Sequence, residues 1–377
     1  MERMATLKTI DAFRDVLKDP AKVAMDWKSQ GKKVVGYRCL FVPEEIIWAA
    51  GMLPYPLYGT PEPIRLADSY FQSCSCEFVR NLFDQALDGK LDFLDYLALS
   101  NTCDASRRVF DHWNQYITAC PAYLINNPQK LLDKTNREYY IAELTAFKQQ
   151  MEELSGKMIT DTGIRDAIEL YNETRSLLKE LCELRKQNPP LITSEEALDV
   201  SMAAILMPKD QANPLLQQLL SEVKEREVPE NDGPRILVTG STLDNPVLIR
   251  MIEEEGGQVV IDDLCTTSRY FWDQVDNAGE PMESLYRFLN RRALCACLHP
   301  MEARFDHLFK LIDEYDIEAV IDFNLKYCNP FMYEAPLLRK ELEAQDIPFN
   351  VLEIGHDMSG HGQLRTRIQA FIEMIEF

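Results

Sequence analysis

The sequence holds no C-x-x-C pair, no G-x-G-x-x-G fingerprint, no G-x-x-x-x-G-K-[ST] loop and no H-E-x-x-H helix. Each absence removes a class of protein. Zinc ribbons and thioredoxin-like redox proteins need the first. The passage "LVTGSTLDNP" runs from an apolar strand into a helix, but it lacks the spaced glycines that let a backbone approach a pyrophosphate. ATP has no P-loop to occupy, and the five histidines show no zinc-binding spacing. Positive charge is scarce as well. Forty Lys and Arg stand against 61 Asp and Glu, a net charge of −21, and no basic run interrupts the acidic background, which argues against a nucleic-acid partner. No apolar stretch approaches the ~18 residues of a membrane helix. The start, "MERMATLKTIDAFRDVLKDP", sets Leu7, Ile10, Phe13 and Leu17 at helical spacing among charges, unlike the unbroken apolar core of a secretory signal. A cytoplasmic protein with no membrane and no nucleic-acid partner is expected.

Apolar residues and thiols are plentiful. Hydrophobic residues make up 46% of 377, enough for large cores, and the length exceeds the usual single-core size. Ten cysteines in a reducing compartment do not read as a disulfide framework; some fill cores and others are free to bind metal. Cys182, in "AIELYNETRSLLKELCELRK", shares an apolar stripe with Ile168, Tyr171 and Leu178 and is expected to be core filler. Two C-x-C elements occur, Cys74-Ser75-Cys76 and Cys295-Ala296-Cys297, and for Cys295 and Cys297 the packing role is favoured over a ligand role.

Three blocks organise the chain. Residues 1–150 carry an N-terminal helix and an α/β domain opening on "GKKVVGYRCLFVPEEIIWAAGMLPYPLYG", with a helix begun around Pro43-Glu44-Glu45 and stopped by Gly51. Residues 151–230 are helical nearly throughout, broken at "QNPPLITSEE", where Thr193 or Ser194 is the expected cap. Residues 231–377 repeat the logic of the first block, opening on "GPRILVTGSTLDNPVLIRMIEEEGGQVVIDDLC". Near-continuous apolar strands alternating with helices predict two doubly wound parallel sheets, with the helical segment as a layer between them. Each α/β block also carries an acidic lead-in, a buried strand and a polar turn with one cysteine: "LDFLDYLALSNTCDAS" and "YDIEAVIDFNLKYCNPF". Ligands in such sheets bind beyond the carboxyl ends of the strands. Cys103 and Cys328 are therefore aimed at a shared cleft, as ligands or nucleophiles, unless each merely finishes a buried strand.

Other candidates are weaker. Glu44 and Glu45 open a helix near that cleft, and first-turn stabilisation of the helix dipole weighs equally with proton transfer. We carry Glu45 as the catalytic candidate. His356 and His361 follow the strand "PFNVLEI" and are expected to make polar loop contacts. Asp263 and Arg269 are expected to pair.

Taken together, "VPEEIIWAAGMLPYPLYG", "ADSYFQSCSC", "NTCDASRR", "VVIDDLCTTSRYF", "LKYCNPFMYEAPLLRKEL" and "GQLRTRIQAFIEM" resemble the 2-hydroxyacyl-CoA dehydratase and benzoyl-CoA reductase family, in order and over nearly the whole chain. The likeness is to its smaller, cluster-bearing subunits. The resemblance implies two flavodoxin-like domains and a [4Fe–4S] cluster held where they meet by three cysteines. Carried over motif by motif, these are Cys76, in the segment beginning at Tyr70, Cys103, in the Cys-Asp element, and Cys328. Where the family commonly has Cys-Asp-Pro, this chain has Cys328-Asn329-Pro330, which removes a carboxylate from the turn while leaving the thiol. Cys74 is either a fourth ligand or a neighbour. The resemblance further implies a homologous second catalytic subunit, an ATP-hydrolysing iron–sulfur activator and an acyl-CoA or aryl-CoA substrate. "HGQLRTRIQAFIEM" and "NTCDASRRVFDHW" look closest to the smaller subunit of benzoyl-CoA reductase, with a 2-hydroxyacyl-CoA dehydratase as the alternative and a non-catalytic redox carrier on the same scaffold as a further one.

Overall fold

Two sets of short apolar strands build two parallel sheets. The structure, a computed structural model, describes residues 7–130, 135–292, 295–358 and 360–375. The first sheet contains β1 (Val34–Arg38), β2 (Leu53–Pro56), β3 (Tyr96–Ser100) and β4 (Ala122–Ile125), in the order β2-β1-β3-β4. The second contains β5 (Arg235–Gly240), β6 (Gln258–Asp263), β7 (Ala319–Leu325) and β8 (Phe349–Ile354), in the order β6-β5-β7-β8. All pairings are parallel, and the two sheets share one topology, consistent with two flavodoxin-like units. Pro54 and Pro56 fit in β2 because it is an edge strand, where a missing N–H costs no ladder bond on the free side.

Both faces of each sheet are apolar, as buried parallel strands require. Along β1 and β3, Val34, Leu97 and Leu99 face one core, while Val35, Tyr37 and Ala98 face another. In the second sheet Ile236, Val238 and Ile321 join the first of these cores, and Leu237, Val260 and Val320 face a third. The helix Asp161–Glu183 spans the units: Ile164 and Ile168 pack toward the first sheet, Leu178 and Leu181 toward the second. Cys182 is buried on that helix as core filler. The helix Ser194–Leu206 opens with a capping box in which the Glu196 N–H donates to Thr193 Oγ1 at 3.1 Å and the Thr193 N–H donates to Glu196 Oε2 at 3.0 Å. Thr193 is thus the cap of the two expected. The helix begun at Glu44 ends at Ala49, and Gly51 follows at φ +77°. Among the described residues no helix is long and apolar enough to cross a membrane.

The carboxyl ends of the two sheets face each other. Arg38, the last residue of β1, donates to Thr242 Oγ1, just beyond β5, at 2.7 Å. A second latch lies beside it: the Gly59 N–H donates to Asp244 Oδ2 at 2.6 Å, His356 Nε2 stands 3.4 Å from the same carboxylate, and the His356 N–H donates to Glu77 Oε2 at 2.7 Å. Burial alone would lower the His356 pKa, but the Asp244 carboxylate outweighs it and raises it. A histidine raised in this way contributes fully below its ordinary value near ~6.5 and loses the contribution as pH climbs through the folded value. Asp244→Asn is therefore expected to cost about 1–3 kcal/mol near pH 6 and distinctly less near pH 9. Urea denaturation across that range checks this; a deficit that does not change with pH would contradict it.

Candidate thiol-lined site between the sheets

Where the strand ends converge, a cavity of about 380 Å³ is lined by four cysteines, Cys76, Cys103, Cys297 and Cys328, together with Thr102, Gln129, Asn329 and Glu334. Three of these cysteines share a local design. Cys103 follows β3 and is the N-cap of the helix Asp104–Tyr116, its Sγ accepting from the Ser106 N–H at 3.4 Å. Cys328 follows β7 and is the N-cap of Asn329–Glu343, after Tyr327 at φ +64°. Cys76 is the N-cap of Glu77–Leu87. A thiolate is favoured at a helix start, where free N–H groups and the positive end of the dipole meet it.

The thiols influence one another in pairs. The Cys328 thiol draws the pKa of Cys76 down to about 6 against the opposing effect of burial, with the Val79 and Phe78 N–H groups assisting. Cys328 is pushed up in turn. Cys103 is likewise lowered by the Cys297 thiol, while Cys297 is raised by Cys103 and Cys295. Arg38 stands among these sulfurs. Burial disfavours its charge, but Cys39, Cys265, Cys103 and Cys76 around it more than offset this. Its guanidinium also lies 4.4 Å from the centre of the Phe78 ring.

Behind the wall lies a buried ionic network. Asp263 receives Arg269 Nε at 2.9 Å and Nη2 at 2.7 Å, and Arg304 Nη1 at 2.7 Å, so the expected Asp263–Arg269 pair is present with a third member. Arg304 also binds Glu334, which reaches the cavity wall, and Arg269 Nη1 lies 3.6 Å from Cys265 Sγ.

The donor set fits one kind of group better than others. Among the described residues no three His, Cys, Asp or Glu side chains converge closely enough to hold a single metal ion. Soft thiols spread around a cavity, three of them at helix starts, suit an iron–sulfur cluster, which occupies a volume rather than a point.

Cys76, Cys103 and Cys328 are brought together on this wall. Glu45 is not: its carboxylate receives Arg175 Nη2 at 2.5 Å, both side chains are buried, and neither lines the cavity. The Glu45 carboxylate is engaged by Arg175, away from this wall. Cys74 is exposed, 3.7 Å from Gln72 Oε1, and off the wall. His356 makes its polar contacts through Asp244 and Glu77, and His361 opens the last helix from an exposed position. Cys297, for which packing was the favoured role, also lies on this wall. Its signal was the C-A-C pair itself, in a segment with no strand or helix pattern to show which way the thiols face.

The fold and site define an enzyme subunit built on paired parallel sheets with a thiol-lined cavity between them. The family model for the 2-hydroxyglutaryl-CoA dehydratase D-component matches residues 39–375, and the chain belongs to that family of 2-hydroxyacyl-CoA dehydratase and benzoyl-CoA reductase subunits. It is 29% identical to the (R)-phenyllactyl-CoA dehydratase beta subunit of Clostridium sporogenes, over 98% of this chain and 99% of that one. It is 28% identical to one of the benzoyl-CoA reductase subunits of Thauera aromatica, over 94% of each chain. Against the beta subunit of (R)-2-hydroxyglutaryl-CoA dehydratase from Acidaminococcus fermentans it is 27% identical, over 99% of this chain and all of the other. These relatives are named as subunits, which supports a partner subunit here. The dehydratase relatives, at 29% and 27%, stand on either side of the reductase relative at 28%, so the reductase is not favoured over the dehydratase, contrary to the expectation from "HGQLRTRIQAFIEM".

Proposed function

We propose that this chain is the iron–sulfur subunit of an activator-dependent acyl-CoA enzyme, in which Cys76, Cys103 and Cys328 hold a [4Fe–4S] cluster between two doubly wound units, residues 1–150 and 231–377, joined by the helical segment 151–230. The observation that carries this reading is the convergence of three helix N-cap cysteines, far apart in sequence, on one cavity. When bound, such a cluster supplies single electrons at low potential. The chain's own part is to present the three thiols at helix starts, to place the Arg38 charge among them, and to set the cavity between the ends of the two sheets. A cytoplasmic setting, a homologous second catalytic subunit and an ATP-hydrolysing iron–sulfur activator complete the proposal, with an acyl-CoA or aryl-CoA thioester as substrate.

Arg38→Gln tests the electrostatic part. A unit charge ~8 Å away in a medium of effective dielectric ~20 is worth roughly 2 kcal/mol, so the midpoint potential should fall by on the order of 0.1 V. Potentiometric titration followed by EPR reads the shift, and an unchanged potential would contradict the role given to Arg38.

The function is tested by anaerobic assay of this chain with its partner and activator on 2-hydroxyacyl-CoA thioesters and on benzoyl-CoA. Loss of water to an enoyl-CoA identifies a dehydratase, and ring reduction a reductase. A complex that carries its cluster yet neither turns over nor binds any CoA thioester is the non-catalytic redox carrier, and overturns the enzymatic proposal.

A further inference from the structure

Cys297 completes the thiol wall, and bonds on either side of it fix the course of its segment. The His299 N–H donates to the Gln129 carbonyl at 2.8 Å, in a parallel bridge with the segment after β4. Gln129 Nε2 in turn donates to the Thr102 carbonyl at 3.1 Å, tying that segment to the residue preceding Cys103. The Leu298 N–H closes a turn onto the Cys295 carbonyl at 3.0 Å, and the Leu298 side chain packs with Phe41. On the N-terminal side Arg292 is anchored by the Leu40 carbonyl at 2.8 Å and the Tyr270 carbonyl at 2.6 Å. This frame places Cys297 on the wall of the same cavity as Cys76, Cys103 and Cys328.

From this geometry we propose that Cys297 is the fourth protein ligand of the cluster. The inference rests on the cluster reading above. Ligation releases the Cys297 proton to solvent and forms one Fe–S bond at the iron that Cys76, Cys103 and Cys328 leave open, displacing water or hydroxide with no change in electron count. A cluster bound by four thiolates has no iron free for a substrate oxygen. This subunit then passes electrons without binding the thioester to iron, and the thioester is placed in the partner subunit.

The test compares the anaerobically purified full-length protein with Cys297→Ala, Cys297→Ser and Cys295→Ala variants. Iron and sulfide are counted first, and circular dichroism confirms folding. Limiting ferricyanide then removes one electron; an iron lacking a protein ligand leaves as Fe²⁺, and the cluster becomes a [3Fe–4S] species with its own EPR signal. We expect the wild type and Cys295→Ala to keep all their iron and to show no response of the reduced EPR spectrum to cyanide. Cys297→Ala should convert to the three-iron form and respond to cyanide. In the wild type, moreover, iodoacetamide should label Cys74 at once and Cys297 only after iron is chelated, as read by mass spectrometry, so the result does not depend on any variant folding. A wild type that converts as readily as Cys297→Ala, a Cys295→Ala that converts in its place, or Cys297 labelled in the iron-loaded protein would each overturn the proposal while leaving a three-cysteine cluster standing. A folded wild type without iron would overturn the cluster reading, and this inference with it.

Discussion

Asp263→Asn is expected to destabilise the protein by about 3–5 kcal/mol, the cost of removing the shared carboxylate from a buried charge network. Asp263 is fully buried, and besides Arg269 and Arg304 it accepts from Thr239 Oγ1 at 2.7 Å. Burial alone would raise its pKa, yet the two guanidinium groups hold it well below the usual carboxylate range. Asparagine keeps the shape but brings no charge, so Arg269 loses the carboxylate it pairs with, and Arg304 loses one of its two acidic partners, Asp263, while keeping Glu334. A carboxylate whose pKa is depressed on folding contributes its stability above the unfolded value near ~3.9, and that contribution fades as pH falls through the lower, folded value. The deficit of Asp263→Asn should therefore be complete at neutral pH and shrink only in strong acid. The midpoint of urea denaturation measures it. Disruption of the exposed Asp104–Arg108 pair, 3.1 Å long, serves as the contrast and should cost less than about 1 kcal/mol. A loss for Asp263→Asn no larger than that would refute the view that this network fixes the floor of the cavity.

Cys103→Ala is expected to lower the activity of the assembled enzyme by at least ~100-fold, since changes even to the partners of a metal ligand typically cost 10–100-fold. The expected cause is specific. Cys103 joins the end of β3 to a helix start, so alanine preserves the backbone path while removing the sulfur from the wall. Iron content should fall and stability should change little, because the side chain is only half-buried and makes one weak N–H contact. Activity, iron and denaturation midpoint measured on one preparation separate loss of the ligand from loss of the fold. Full iron and full activity would show that Cys103 is not a ligand.

Much of this arrangement was legible in the sequence because local rules dictate it. Period and composition mark the strands, Gly51 and Thr193 mark helix boundaries, and the repeated strand-to-cysteine turn marks Cys103 and Cys328 as residues facing one cleft. What stayed hidden depends on contacts between distant parts of the chain. Glu45 reads as a helix-opening carboxylate near a cleft, and nothing local shows that Arg175, 130 residues away, takes its charge. Arg38 reads as the end of a strand, and only the meeting of two sheets surrounds it with thiols. Cys74 and Cys76 are separated by the helix start: the second caps it and turns inward, while the first remains in solvent. Cys297 could not be told from filler because its direction is set by backbone bonds to Gln129, in the other α/β block. The helix Pro281–Arg291 likewise lies between β6 and β7 in sequence yet packs Leu285 and Leu289 against the core of the first sheet.

Whether the dispersed cysteines hold an iron–sulfur cluster is decided by iron and acid-labile sulfide analysis, with EPR after dithionite reduction, on protein purified without oxygen after coexpression with its partner. The wild type is compared with a variant in which Cys76, Cys103 and Cys328 are all serine. About four irons per chain and a reduced-cluster signal, both lost in the folded triple variant, is the predicted result. A folded wild type without iron, prepared under conditions that preserve the activator's own cluster, would contradict it.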